Sequence, residues 1–317
     1  MRFSLKSHIL KSEKGASSII FALAFTFIIG MAAITIDIGQ AMFEKSRLST
    51  AVDSAALAGA QELISNSDNA VYMAESYIQK NLGAIKQVEV KVTGSEKTVE
   101  VKGVKTVNHF FARIFGIIEQ DITAVAKART GNIKSMSGVK PFAQFDQELI
   151  FGQQYTLKVS AGEGEVGNFN AISLGGTGTS SFLENLKNGY PGKINIYHGD
   201  EKDIIWTEPG VTVPPKLDDL INEMVSGCNH SPPCTIDYYN PDCPRIITIP
   251  IVVLAGEALN GRSPLKVVGF ATFFLEACKF KGQYTDVTGR FMKYNVQGEI
   301  SGEFAEDYGT YGIQLIK

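Results

Sequence analysis

The chain has 317 residues, of which 44% are apolar and 20% charged, with a formal net charge of -3. Those figures exclude a wholly disordered, collagen-like or polytopic membrane chain, and the length allows one large or two modest domains. The slight negative charge gives no reason to expect nucleic acid as a partner.

The average hides unlike parts. Residues 1–15 carry Arg2, Lys6, Lys11 and Lys14 against Glu13, a net of +3. Residues 16–36 carry no charge, and 16 of these 21 are apolar. As a helix the stretch spans ~30 Å, one hydrocarbon core, so a transmembrane helix is expected. It is longer than the roughly 7–15 apolar residues of a cleaved signal peptide, which favours an uncleaved signal anchor. Lys and Arg precede it more densely than Lys45 and Arg47 follow it. The positive-inside rule then predicts a cytoplasmic N-terminus and an exported remainder, in a single-pass cell-membrane protein. From Asp37 onward the net charge is -6.

The helix is expected to continue past the membrane to about Leu63. No proline occurs before Pro141, and Ile34, Ile38, Ala41, Leu48, Val52, Ala55, Gly59 and Leu63 recur at near-helical spacing. Small residues fall four apart at Ala22, Thr26 and Gly30 and again at Ala51, Ala55 and Gly59. Such spacing lets a second helix approach closely, although alanine is also simply a good helix former.

These residues carry a resemblance. Lys14-Gly15-Ala16-Ser17-Ser18-Ile19-Ile20-Phe21-Ala22-Leu23, Ile36-Asp37-Ile38-Gly39-Gln40, and the run from Arg47 to Ala58 (RLSTAVDSAALA) are similar, in order, to the N-terminal segment of TadE/TadG-type assembly proteins of Tad (Flp) pili. The likeness covers about residues 14–63. It implies a membrane-anchored, minor-pilin-like structural or assembly component, with other pilins or platform subunits and the lipid bilayer as partners. Tad-type pilins carry glutamate five residues after a glycine, then an aromatic, and are cut after that glycine. Here Gly15 and Phe21 fit, but Ile20 stands at the glutamate position. Cleavage between Gly15 and Ala16 is therefore in question, and the likeness moves toward the TadG type. The Asp-x-Ser-x-Ser metal motif of the von Willebrand A domain that TadG-like proteins often carry is absent.

Beyond the long helix, residues 69–82 predict a short helix closed by Gly83. Alternating Val88, Val90, Val92 and Val99, Val101 about Gly94-Ser95-Glu96-Lys97 predict a hairpin. Val107 to Ile118 reads as an apolar helix with His109 as a packing residue, Ile122 to Ala128 as a strand, and residues 131–138 as a linker. Residues 86–134 net +4, and the remainder from 135 nets -7.

The texture then becomes β-rich. Strands are expected at Tyr155–Val159, Ile194–Tyr197, Arg245–Leu254, Lys266–Leu275 and Gly289–Val296, with one helix near Leu217–Val225. Val166-Gly167-Asn168-Phe169 and the run from Val267 to Leu275, with Gly289-Arg290-Phe291, resemble the domain that follows the helix in Gram-positive TadE/G-like proteins. The fold class is thus α+β: a cytoplasmic tail (1–15), a transmembrane helix (16–36), its extension with a small α+β unit (37–133), and a β-rich domain (139–317).

Chemistry is sparse. Gly162 to Gly167 matches G-x-G-x-x-G, but a strand-like segment follows and two glutamates would repel phosphate. Gly175-Gly176-Thr177-Gly178-Thr179 lacks the P-loop lysine and reads as a turn. His198 with Asp200 reads as a solvated turn, and Asn229-His230-Ser231 fits a glycosylation sequon that chance also supplies. No cofactor, resident metal or catalytic set is expected.

The four cysteines, Cys228, Cys234, Cys243 and Cys278, all lie in the exported part, as disulfides would. Cys228–Cys234 with Cys243–Cys278 is slightly preferred of three connectivities. A zinc set of Cys228, His230, Cys234 and Cys243 is the alternative, disfavoured by its loose C-x5-C spacing. The main functional expectation is a non-enzymatic pilus component whose helix packs among others. The alternative is an anchored surface protein for adhesion or carbohydrate binding, and an exported hydrolase comes last.

Overall fold

The computed structural model describes residues 14–64, 67–160, 170–208, 214–257, 262–281, 284–301 and 306–316. Most of the N-terminal tail and the G-x-G-x-x-G run lie outside them, as does Val166-Gly167-Asn168-Phe169. The fold is α+β. Its helices are α1 (Lys14–Glu62), α2 (Ser67–Leu82), α3 (Thr179–Asn188) and α4 (Pro214–Ser226). The longer strands are β1 (Gln87–Thr93), β2 (Thr98–Asn108), β3 (Glu119–Met136), β4 (Gln154–Ser160), β5 (Ile246–Leu254), β6 (Pro264–Phe280), β7 (Tyr284–Met292) and β8 (Thr310–Ile316).

Helix α1 is 49 residues long, about 70 Å of continuous helix. With neither proline nor a charge between residues 16 and 36, nothing interrupts its hydrogen-bond ladder. Its apolar half keeps its few hydroxyls satisfied: Thr26 and Thr35 each donate to the carbonyl four residues back, at 2.8 Å. That is the local solution a hydrocarbon environment demands.

The second half of α1 packs with α2 on one face of an antiparallel sheet. The main order is β1-β2-β3-β8, with Tyr294–Asn295 beyond β8. Leu48, Val52, Ala55, Ala56 and Ala60 of α1 meet Ala70, Ala74 and Ile78 of α2 and Val99, Val101, Ile122 and Ala128 of the sheet. Close approach depends on small residues. A Cβ on Gly59 would lie 3.0 Å from the Ala70 carbonyl oxygen, and one on Gly103 in β2 would lie 3.0 Å from both Leu48 and Val52. Gly83 closes α2 as expected, with φ +66° and its N–H on the Gln79 carbonyl.

Two expectations fail in this unit. Val107 to Ile118 is not a helix. β2 runs to Asn108, and only one 3-10 turn forms, at Ala112–Phe115. Val107 enters the core as part of the strand, and the apolar residues of the turn are not drawn into a core that would stabilise a longer helix; Ile114 and Phe115 are 78% and 80% exposed. Nor is GNIKSMSG a linker, because β3 runs through residues 131–136 as strand. Gly131 faces Gly312 of β8 across the ladder, and Ile300 covers the space the two glycines leave. Buried Ile133 and Met136 extend the strand into a second cluster with Val139, Ile194 and Phe270. Glycine and serine here accommodate a neighbour rather than break the chain.

The second sheet follows the main order Gln144–Phe145, β5, β6, β7, β4, with Ile204–Thr207 beside the start of β6. Both α3, which was not expected, and α4 pack on it. Phe142, Leu157, Phe182, Leu186, Leu217, Ile221, Phe273 and Phe291 form its largest core. Pairing of β6 with β7 places Gly289 opposite Leu275, where any Cβ would strike the Phe274 carbonyl at 2.3 Å. The Gly175–Thr179 run is a turn leading into α3, with positive φ at Gly175 and Gly178.

Candidate functional site

The distinctive surface of the molecule is the uncovered half of α1 and the loop that meets it. Every residue from 17 to 32 is exposed, including Ala22, Thr26 and Gly30, and among the described residues a Cβ on Gly30 would meet nothing within 4 Å. From Leu48 onward one face of the same helix is buried. The two small-residue triplets therefore do different work. Ala51, Ala55 and Gly59 are consumed inside the chain against α2 and the sheet. Ala22, Thr26 and Gly30 remain open to a partner. Gly15 and Ala16 lie in the first turn of the helix.

The two halves meet at Asp37, the first charge after the apolar run and 4% exposed. Its Oδ1 accepts from the Phe110 N–H at 2.8 Å, and its Oδ2 from the N–H groups of Phe111 at 3.0 Å and Ala112 at 2.6 Å. Successive backbone N–H groups converging on one carboxylate form an anion nest. Burial opposes the charge, but the N–H groups of Ala112, Phe110 and Phe111 outweigh it. They hold the Asp37 carboxyl below its ordinary range. Two turns further on, Glu44 accepts from Lys105 of β2 at 2.7 Å, a half-buried ion pair that keeps the Glu44 carboxyl low.

Asp37 thus latches residues 110–112 to α1. The latched loop presents Phe110, Ile114, Phe115, Ile117 and Ile118 outward. Between loop and helix lies a cleft of about 860 Å³ whose lining includes Ala33, Ile38, Met42, Phe111, Phe115 and Ile117. His109 is a buried packing residue here, as expected, and its Nδ1 has no hydrogen-bond partner among the described residues. Sequence reasoning missed the latch. Its one visible sign was a lone acid placed directly after an uncharged run.

The cysteines separate into two environments, and all four are free thiols. Cys228, Cys234 and Cys243 gather around His230. Cys278 belongs to the core of the second sheet and donates to Asp218 Oδ1 at 2.9 Å. Burial, with Asp218 beside it, pushes the Cys278 thiol well up. The expected Cys228–Cys234 and Cys243–Cys278 bridges are not formed in this arrangement. Among the described residues, His198 and Asp200 form no acid–base pair: the Asp200 carboxylate accepts from the Lys202 N–H and caps a short turn.

The comparisons bear on α1. Residues 15–62 match the family model described as Putative Flp pilus-assembly TadE/G-like, so the match runs almost the length of the helix. The chain carries a TadE/G-like N-terminal segment, and this helix is long and apolar enough to cross a membrane. No curated protein and no solved structure matches the chain.

Proposed function

We propose that the chain is a membrane-anchored structural or assembly component of a Tad-type pilus, engaging other pilus subunits through the open half of α1. The observation that carries this reading is the division of one TadE/G-like helix into an uncovered apolar half and a half built into the protein's own fold. The open half is the right length for a bilayer and offers small residues at four-residue spacing to a second helix. The basic residues before it support an orientation with the N-terminus in the cytoplasm and both sheets outside. Cleavage after Gly15 would leave the apolar span whole. A photo-crosslinking residue at Ala22 or Gly30 is expected to capture pilin or platform subunits in native membranes, and one at the fully buried Ala55 is not. Absence of adducts at Ala22 and Gly30, with piliation unaffected by deletion of the protein, would overturn the proposal. Glycan or matrix binding by the full chain with piliation intact would favour the anchored surface-binding alternative instead.

In this reading the 110–118 loop lies in the headgroup layer, because its exposed apolar residues continue the apolar surface of α1 at the membrane boundary that Asp37 marks. A fluorescent amino acid at Phe115 should be quenched by quenchers attached to lipid headgroups, and one at exposed Tyr238 should not. Equal, water-like behaviour at the two positions would remove the loop from the membrane.

A further inference from the structure

Residues 227–245 form a long excursion with no helix or strand, between α4 and β5. Irregular segments of this length inside a compact unit need something to hold them. The excursion is pinned at its far end, where Arg245 donates to the Leu275 and Cys234 carbonyls at 2.8 and 3.0 Å and stacks over Phe274. At its centre Cys228, His230, Cys234 and Cys243 turn their ligand atoms toward one another, all within 4.8 Å.

We propose that Cys228, His230, Cys234 and Cys243 form a structural zinc site. A tetrahedral zinc with bonds of about 2.3 Å to sulfur and about 2.0–2.1 Å to nitrogen sets its sulfur and nitrogen ligands about 3.5 Å apart. The Nδ1 of His230 lies 3.6 Å from Cys228 Sγ and 3.4 Å from Cys234 Sγ, so the arrangement has the spacing of a coordination shell. Three thiols and an imidazole complete a closed Cys₃His set, the form that structural sites take. A second layer supports it. The Asn240 N–H donates to Cys234 Sγ at 3.3 Å, and Cys234 and Cys243 sit in a small apolar cluster with Phe274 and Met292. Such a shell orients thiolates and excludes water.

The disulfide alternative fits this geometry poorly. Three thiols about one imidazole can make only one bridge, leaving a thiol over, and Cys278 is engaged elsewhere with Asp218. The C-x5-C spacing that argues against zinc in the linear sequence is accommodated because the chain turns back between the two cysteines and brings His230 in beside them.

Purified full-length protein in detergent should contain one equivalent of zinc by elemental analysis. Cobalt substitution should give the absorption of a tetrahedral thiolate site. His230→Ala, which removes a ligand that no disulfide needs, should lower zinc retention about tenfold or more, as should Cys234→Ser. Cys278→Ser should keep the full equivalent. Stripping the metal should open residues 227–245 to proteolysis while the rest of the second sheet stays resistant. Zinc absent from the wild-type protein, with its cysteines recovered as disulfides, would overturn the proposal, as would zinc retained equally by both ligand variants.

Discussion

Replacing Asp37 by alanine is expected to free the loop at residues 110–116 from the long helix. Three backbone N–H groups lose their acceptor together. Hydrogen exchange at those amides should speed up about tenfold or more, because each is left without a partner in a half-buried position. Val99 and Val101, deep in the sheet, should be unchanged. Asp37→Asn should do less, since it keeps one acceptor oxygen. The same contact carries a pH dependence. The folded carboxyl titrates below its ordinary value of 3.8, so the charged form is the one the loop stabilises. Its contribution is whole at neutral pH and is lost as the pH falls below that ordinary value. A mobility probe at Phe115 should report this loosening in acid and show none in the Asp37→Ala protein. Unchanged exchange in Asp37→Ala would mean that the loop is held by its own packing instead.

Gly59→Leu is expected to destabilise the first sheet unit by about 3 kcal/mol, the upper end of what overpacking costs. The obstacle is backbone: the new Cβ alone would sit 3.0 Å from the Ala70 carbonyl oxygen and 3.1 Å from Val99, and a leucine has further atoms to place. Thermal or urea unfolding of the full chain in detergent measures the loss. Gly30→Leu is the matched comparison. Among the described residues nothing lies within 4 Å of a Cβ at that position, so stability should hold while crosslinking to pilus subunits falls. If Gly59→Leu unfolds like the wild type, α1 and α2 are not packed as the structure has them. If Gly30→Leu leaves crosslinking untouched, the proposed interface lies on another face of α1.

The contrast between those two glycines shows how far pattern alone reaches. Ala22, Thr26, Gly30 and Ala51, Ala55, Gly59 have the same four-residue spacing, and spacing says only that a helix can be approached closely there. What approaches is decided by α2 and β2, which reach the second triplet and not the first. The hairpin of β1 and β2 was readable from valines alternating with charges, because one of its faces is buried and the other wet. The 107–118 segment was not readable. Its apolar run obeys helical spacing, yet Val107 is taken into the core as the end of a strand, Ile114 and Phe115 are left exposed, and the N–H groups of residues 110–112 are taken by an acid more than seventy residues earlier. In the same way, Gly131 and Ser135 have the composition of a linker, but pairing of Gly131 with Gly312 and of Ser135 with Glu299 and Asn195 makes them part of a strand.

The linear sequence by itself determined the local and compositional features: a charge-free stretch long enough for a bilayer, its continuation as an uninterrupted helix, a TadE/G-like pattern along that helix, and a β-rich remainder. These depend on periodicity and on the absence of helix breakers, which neighbours along the chain establish. Only the tertiary structure decided which half of the helix is free, that Asp37 holds a distant loop, that the C-terminal strand β8 joins the first sheet, and that three cysteines meet His230 while the fourth does not. Each of these is a contact between residues far apart in sequence. Contacts of that kind come from burying apolar surface and satisfying buried polar groups together, and no local pattern records them.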